Sequence, residues 1–389
     1  MLSGYKRSDA QGISFKEAFS ENEYDSLLQY AQKVSKPVFV YFYSSTCDAC
    51  NLLSKNVFAS SNLALTFNLA FVNIKVGFES EAGIWFFEKY KIQNLPSYFF
   101  ADMYGKPLNK FFVGMIEIQQ LKDIAVSVSG LYSDLMIKKD EYYSNSNDLT
   151  IIKQYGFILH QLLYFQEAQN IANTYFKKIN SFDYDLYEWQ LFKNYFYNIN
   201  TLLFKRFLIE SGKFIELYGK TEVNDYLTHV FDSNFYRSVA EKDSFLLEKS
   251  LELLDYFEYR NISTLKVSTL SAKGFFRLEY FRNTGNTIRF LSFLDAFLKE
   301  NSLPDEILND YILDVYLIID DIYWYIKANE WAESLYKSEK SFISTTTYAL
   351  SFIKLGQKQK AEKLVKKAQK MVLDNQQQKY LDSISGLLK

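Results

Sequence analysis

The stretch KPVFVYFYSSTCDACNLLSKNVF, residues 36–58, decides how this chain is read. Pro37 lacks an amide proton and disfavours helix before it, so Lys36-Pro37 stops the helical stripe upstream. Val38 to Tyr43 is then an unbroken β-branched and aromatic run, which suits a central strand buried on both faces of a mostly parallel sheet. Ser44-Ser45-Thr46 leads into Cys47. From Cys50 to Phe58, with Leu52, Leu53 and Val57 at helical spacing, the sequence predicts a helix. The two cysteines therefore sit where a buried strand meets a helix. Free amides and the helix dipole at such a junction stabilise a thiolate on the first cysteine. A second thiol three residues on can resolve a mixed disulfide formed by the first.

Working outward, Tyr24, Leu27, Leu28, Ala31 and Val34 mark a helix before this stretch. Phe71–Val76 alternates as a second strand, and Glu79–Tyr90 is predicted helical through Ala82, Trp85, Phe86 and Lys89. Asn94-Leu95-Pro96 breaks the pattern. Tyr98–Phe100 and Lys110–Val113 flank Met103-Tyr104-Gly105-Lys106-Pro107, whose turn chemistry predicts a hairpin. Ile118, Leu121, Ala125 and Val128 mark a closing helix. The element order is α-β-α-β-α-β-β-α.

The strand before the C-x-x-C, the helix after it and Leu95-Pro96-Ser97 before a hairpin resemble the thioredoxin fold over residues 15–130. The resemblance implies an α/β domain, a central mixed sheet flanked by helices. It implies that Cys47 is the exposed nucleophile and Cys50 the resolving thiol. It also implies that Pro96 is a cis-proline against them and that Leu95 offers its backbone to an extended substrate. Several positions depart from the family's W-C-G-P-C-K. Thr46 replaces Trp, Asp48-Ala49 replaces Gly-Pro, and Asn51 replaces Lys. Tyr41 stands where the family commonly has a buried acid. Asp48 opposes thiolate formation at Cys47 electrostatically while the helix terminus favours it.

Residues 131–150, rich in Ser, Asn, Asp and Lys, read as a linker, and residues 1–14 as a polar segment. Residues 151–389 read as successive amphipathic helices with few prolines or glycines. Within them, 155–179 matches 348–372, pairing Tyr155 with Tyr348, Gly156 with Ala349, Leu162 with Leu355 and Ala168 with Ala361. The small residues let paired helices approach closely, and the stretch resembles the tetratricopeptide repeat. Residues 180–345 lose this register, so the expectation is an all-α, degenerate helical-repeat domain.

Composition narrows the function. A net charge of −2 gives no bulk basic charge for a nucleic acid. Two His and two Cys leave no metal cage and no multi-disulfide scaffold. No cofactor is expected beyond the Cys47–Cys50 pair. His160 and His229 read as packing or surface histidines. The basic run Lys354–Lys370 reads as a solvated face, and Trp189, Trp324 and Trp331 as helical core. Asp320-Asp321 read as diverging acids on a helix. No run of about 18 apolar residues predicts a membrane span, and Met1–Phe15 lacks a signal-peptide core, though Ala10-Gln11-Gly12 could flank a cleavage site. The domain combination resembles bacterial envelope proteins, which implies a periplasmic location, with the cytoplasm as alternative. The sequence thus predicts a thiol–disulfide oxidoreductase acting on protein disulfides, its helical domain recruiting partner or substrate. The alternative is a binding or scaffold protein with an inert Cys47–Cys50 pair.

Overall fold

Strand Val38–Tyr43 lies at the centre of a five-stranded sheet, with its first five residues buried. The computed structural model describes residues 12–257 and 269–388; most of the polar segment expected over 1–14, with Ala10 and Gln11, lies outside the described residues. The chain forms two compact units, Met1–Phe196 and Tyr197–Lys389.

In the first unit the strands are β1 (Lys16–Ala18), β2 (Val38–Tyr43), β3 (Val72–Gly77), β4 (Ser97–Ala101) and β5 (Phe112–Val113), in the spatial order β1-β3-β2-β4-β5. β1, β3 and β2 run parallel, while β4 is antiparallel to β2 and β5 to β4. Side-chain alternation gives β2 two apolar faces. Val38, Val40 and Phe42 join Ile74, Val76 and Phe99 beside Tyr24, Leu28 and Phe86 of helices α1 (Glu21–Lys33) and α4 (Glu81–Tyr90). On the other face Phe39 meets the rings of Phe67 at 4.8 Å and Phe100 at 5.0 Å. That face belongs to α2 (Asp48–Leu53), which runs on as a π-helical turn Ser54–Phe58, and to α3 (Ser61–Ala70).

Three elements differ from the sequence reading. β1 is three residues long and polar enough to carry no strand pattern. α3 lies in a stretch the hydrophobic pattern left unassigned. The closing helix α5 runs from Ile118 to Ser144, so most of the expected 131–150 linker is helix. Its buried stripe, Leu121, Ala125, Val128, Tyr132 and Leu135, crosses residue 130 without interruption. The polar residues that suggested a linker occupy the other faces of this helix. The compact units divide after Phe196, not near residue 150.

Helices α6 (Leu149–Gln161), α7 (Phe165–Lys178) and α8 (Leu186–Tyr195) complete the first unit. A β-carbon on Gly156 would stand 3.0 Å from Ile171 Cγ2 and 3.2 Å from Leu191 Cδ1, which is why a small residue is needed there. The second unit is helical throughout its described residues. It comprises α9 (Leu202–Tyr218), α10 (Lys220–Glu241), α11 (Ser244–Glu252), α12 (Thr269–Asn283), α13 (Thr287–Glu300), α14 (Asp305–Ile318), α15 (Ile322–Ser338), α16 (Phe342–Lys354), α17 (Lys358–Gln369) and α18 (Asn375–Gly386). Tyr311, Val315, Trp324 and Trp331 pack into one of its clusters. Asp320 and Asp321 precede α15 and do not lie on a helix. Asp321 caps α15 through the amide of Tyr323, and Asp320 accepts the Tyr325 hydroxyl at 3.1 Å.

The two matching stretches are the helix pairs α6–α7 and α16–α17, and they close alike. Leu163 and Gly356 each take a left-handed conformation, with φ of 61° and 71°. The following amide bonds a carbonyl five residues back, Tyr164 to Leu159 at 2.8 Å and Gln357 to Phe352 at 2.9 Å. Lys242 and Gly285 close α10 and α12 by the same pair of bonds, Asp243 to Ser238 and Asn286 to Phe281. This is the Schellman ending of a helix. The same ending closes α1 of the sheet domain, at Ser35 with Lys36 bonding Ala31, so it is a general way of stopping a helix in this chain.

Candidate active site at the C-x-x-C

The site grows from the C-terminal ends of β2 and β3. Their register pairs Tyr43 with Gly77, so the loops that leave the two strands run side by side. The β2 loop carries Ser44, Ser45 and Thr46 to Cys47, which caps α2. The Cys47 sulfur accepts the Cys50 backbone amide at 3.1 Å. Cys47 and Cys50 form a disulfide with their α-carbons 5.2 Å apart. Cys50 is 1% exposed, whereas Cys47 is partly open to solvent. One sulfur can meet a partner, and the other is shielded behind it.

β4 begins beside the same strand ends, since Ser97 pairs with Phe42. Pro96 is buried, Leu95 is half-exposed, and the peptide between them is cis. The Pro96 carbonyl accepts the Gly114 amide at 2.9 Å. Asp48 is exposed, Ala49 half-exposed, and Thr46 exposed with its hydroxyl 3.0 Å from that of Ser44. Asn51, standing where a lysine is usual, donates to the Ser45 carbonyl at 3.4 Å and ties α2 back to the loop.

Tyr41 does not reproduce a buried acid. Its hydroxyl donates to the Cys50 carbonyl at 3.1 Å and lies 3.4 Å from Ser54 Oγ. Burial pushes this phenol above its usual range, with the Ser54 hydroxyl working in the other direction. It stays protonated at neutral pH and offers a donor, not a base. Its ring stacks on Tyr43 at 5.4 Å. The Tyr43 hydroxyl donates to Glu17, which also pairs with Lys75 at 2.9 Å. Burial would raise the Glu17 pKa, but the bonds from Tyr43 and Lys75 outweigh it and hold the carboxyl below its ordinary value.

Sequence reasoning missed Glu79. The helical pattern seemed to include it, but α4 starts at Glu81 with Ser80 as its cap. Glu79 instead faces the β2 loop, where its Oε1 accepts from the Ser44 hydroxyl and from the Ser45 amide at 3.2 Å. The Ser44 hydroxyl, with support from Ser45, holds the Glu79 carboxyl below its usual pKa. The signal that could have found it is topological: neighbouring parallel strands deliver their following residues to one edge.

His160 and His229 lie far along the chain from this site. His160 Nδ1 pairs with the Tyr195 hydroxyl at 2.7 Å, and the His229 ring packs on Tyr197 at 5.5 Å. Among the described residues no group of three His, Cys, Asp or Glu gathers as a metal site, and no helix is long and apolar enough to cross a membrane.

Residues 24–128 match the family model of the thioredoxin-like domain. A candidate disulphide-isomerase from Bacteroides thetaiotaomicron is 31% identical, and the match covers 31% of this chain and 94% of that one at a TM-score of 0.27. An oxidoreductase described as DsbH is 16% identical over 33% of this chain and 92% of that one, with a TM-score of 0.27. Oxidized thioredoxin O1 from Arabidopsis thaliana is 21% identical over 30% of this chain and 96% of that one, with a TM-score of 0.24. A comparison with curated proteins returns no match.

Proposed function

Residues 24–128 belong to the thioredoxin-like family, and on that premise we propose that the chain is a thiol–disulfide oxidoreductase acting on protein disulfides. The observation that carries this reading is the asymmetry of the pair. Cys47 is partly open to solvent and its sulfur accepts the Cys50 amide, while Cys50 is buried. A donor amide stabilises a thiolate more than a thiol, so reduction leaves Cys47 the better nucleophile.

The exchange balances within the two cysteines. The Cys47 thiolate attacks one sulfur of a substrate disulfide, and the other substrate sulfur leaves as a thiolate. The Cys50 thiolate then attacks Cys47 Sγ, closes the Cys47–Cys50 bond and releases the second substrate thiolate. Two electrons pass from the dithiol to the substrate, and the reverse sequence oxidises a substrate dithiol. Leu95 and Pro96, at the same sheet edge, would align the substrate backbone. Thr46, Asp48 and Ala49 would tune the potential.

Reduction of insulin by the full chain tests this reading. Turnover that vanishes in Cys47→Ala supports it, and a wild-type chain without turnover overturns it. Tyr41 favours a second reading, a binding protein on a thioredoxin fold. With no base beside Cys50, exchange would be slow and the pair structural. A redox titration separates the two, since a structural pair has its midpoint below about −300 mV and stays oxidised down to that potential.

We assign the helical region to recruitment of a protein partner or substrate. The support is its resemblance to the tetratricopeptide repeat; within the first unit the α6–α7 turn grips the β4–β5 hairpin. The Tyr164 hydroxyl donates to Asp102 at 2.5 Å, and Lys106 Nζ lies 3.8 Å from the Tyr164 ring centre. We propose an extracytoplasmic location, on the resemblance of the domain combination to envelope proteins; fractionation of the native protein tests this.

A further inference from the structure

We propose that Glu79 is a positioning residue for Cys47. Its carboxylate clamps the Ser44–Thr46 loop and so fixes the Cys47 sulfur on the Cys50 amide. The proposal rests on the exchange reading for its consequence, but the clamp itself stands whether or not the chain turns over.

The clamp is a chain of named bonds. Glu79 Oε1 takes the Ser44 hydroxyl, the Ser45 amide at 3.2 Å and the Ser45 hydroxyl at 3.4 Å. Ser44 in turn holds the rest of the loop. Its Oγ accepts the Thr46 amide at 3.2 Å, and its carbonyl accepts the Cys47 amide at 3.3 Å. Asn51 fastens the Ser45 carbonyl from α2. Glu79 itself is placed by the β3 loop, whose Phe78 amide donates to the Tyr43 carbonyl at 2.6 Å. One carboxylate oxygen thereby joins the loop after β3 to the loop that presents the nucleophile.

Glu79 acts on the thiol in two opposed ways. As an anchor it keeps the sulfur on its donor amide, which favours the thiolate. As a negative charge it disfavours the thiolate, as does Asp48 directly after Cys47. Lys75 of the adjacent β3 is engaged with Glu17. The amide of Glu79→Gln keeps an acceptor oxygen and drops the charge, whereas Glu79→Ala removes both.

The experiment measures iodoacetamide alkylation of Cys47 against pH in the reduced full chain, in a Cys50→Ser background. The expected order of thiol pKa places Glu79→Ala above Glu79→Gln by about one unit, a tenfold difference in thiolate below both values. Ser44→Ala, which loosens the loop and keeps the charge, should shift the profile upward from wild type, and adding it to Glu79→Ala should change little. Superimposed Ala and Gln profiles overturn the clamp, because then only charge matters. If Glu79→Ala does not fold by circular dichroism, Ser44→Ala against wild type carries the test, and an unchanged profile overturns the clamp. An Ala–Gln split in a chain that reduces no insulin removes the exchange reading and leaves the clamp. Coincident profiles with turnover intact remove the clamp alone.

Discussion

Tyr41 brings a hydroxyl to a place where burial punishes an unpaired polar group, and it resolves this by donating to the Cys50 carbonyl. A net hydrogen bond of this kind contributes about 1 kcal/mol. Tyr41→Phe is therefore expected to lower stability by about 1 kcal/mol in urea unfolding, with the fold intact. His160 gives a second expectation. Burial, with the charge of Lys193, lowers its pKa below the ordinary imidazole value. The unfolded chain then takes up this proton more readily than the folded one. Its share of stability is complete above the unfolded pKa of ~6.5 and is lost as pH falls from there through the lower folded value. His160→Gln, which can still bond Tyr195, should flatten that part of a stability–pH curve measured between pH 8 and pH 5.

At the scale of elements, the shared helix endings separate backbone demand from residue choice. Gly356 meets a left-handed bend freely, whereas Leu163 meets the same bend at a steric cost. Leu163→Gly should stabilise the chain by ~0.5–1 kcal/mol, and Gly356→Ala should cost ~1 kcal/mol, both read from thermal melts. A β-carbon at Gly356 meets no atom within 4 Å, so only the backbone term is at work. These bends also show why some elements were legible and others were not. β2 and the C-x-x-C announce themselves because burial on both faces forces one residue class at every position. β1 has three residues, two of them charged, and owes its place to pairing with β3. Between 180 and 345 α10 and α12 close by the same backbone bonds, but backbone bonds constrain side chains weakly, so they leave no sequence pattern to read. Glu79 was hidden for a related reason, since its partners lie 34 and 35 residues upstream and local periodicity cannot register them.

At the scale of the molecule, the first unit joins the thioredoxin-like fold to the first helices by two routes, the continuous α5 and the grip of Tyr164 on Asp102. Asp102 is 4% exposed and also accepts the amides of Tyr104 and Lys106, so the hairpin turn is built around it. Tyr164→Phe leaves those bonds in place and removes only the link to α6–α7. A hydrogen bond to a charged group is worth about 1.5–3 kcal/mol, and the variant should lose stability in that range. Hydrogen exchange should then show the α6–α7 amides opening before those of the sheet.

α5 also acts as a ruler. Its 27 residues, at about 1.5 Å each, set a separation of roughly 40 Å between its two ends. The same rod sets an angular phase. One residue inserted midway would swing everything beyond it by about 100° and carry Tyr164 away from Asp102, whereas seven residues would nearly restore the bearing. The heading of α6–α8 relative to Cys47 within the first unit is thus encoded as a residue count, and a length change in α5 would disturb it more than most side-chain substitutions.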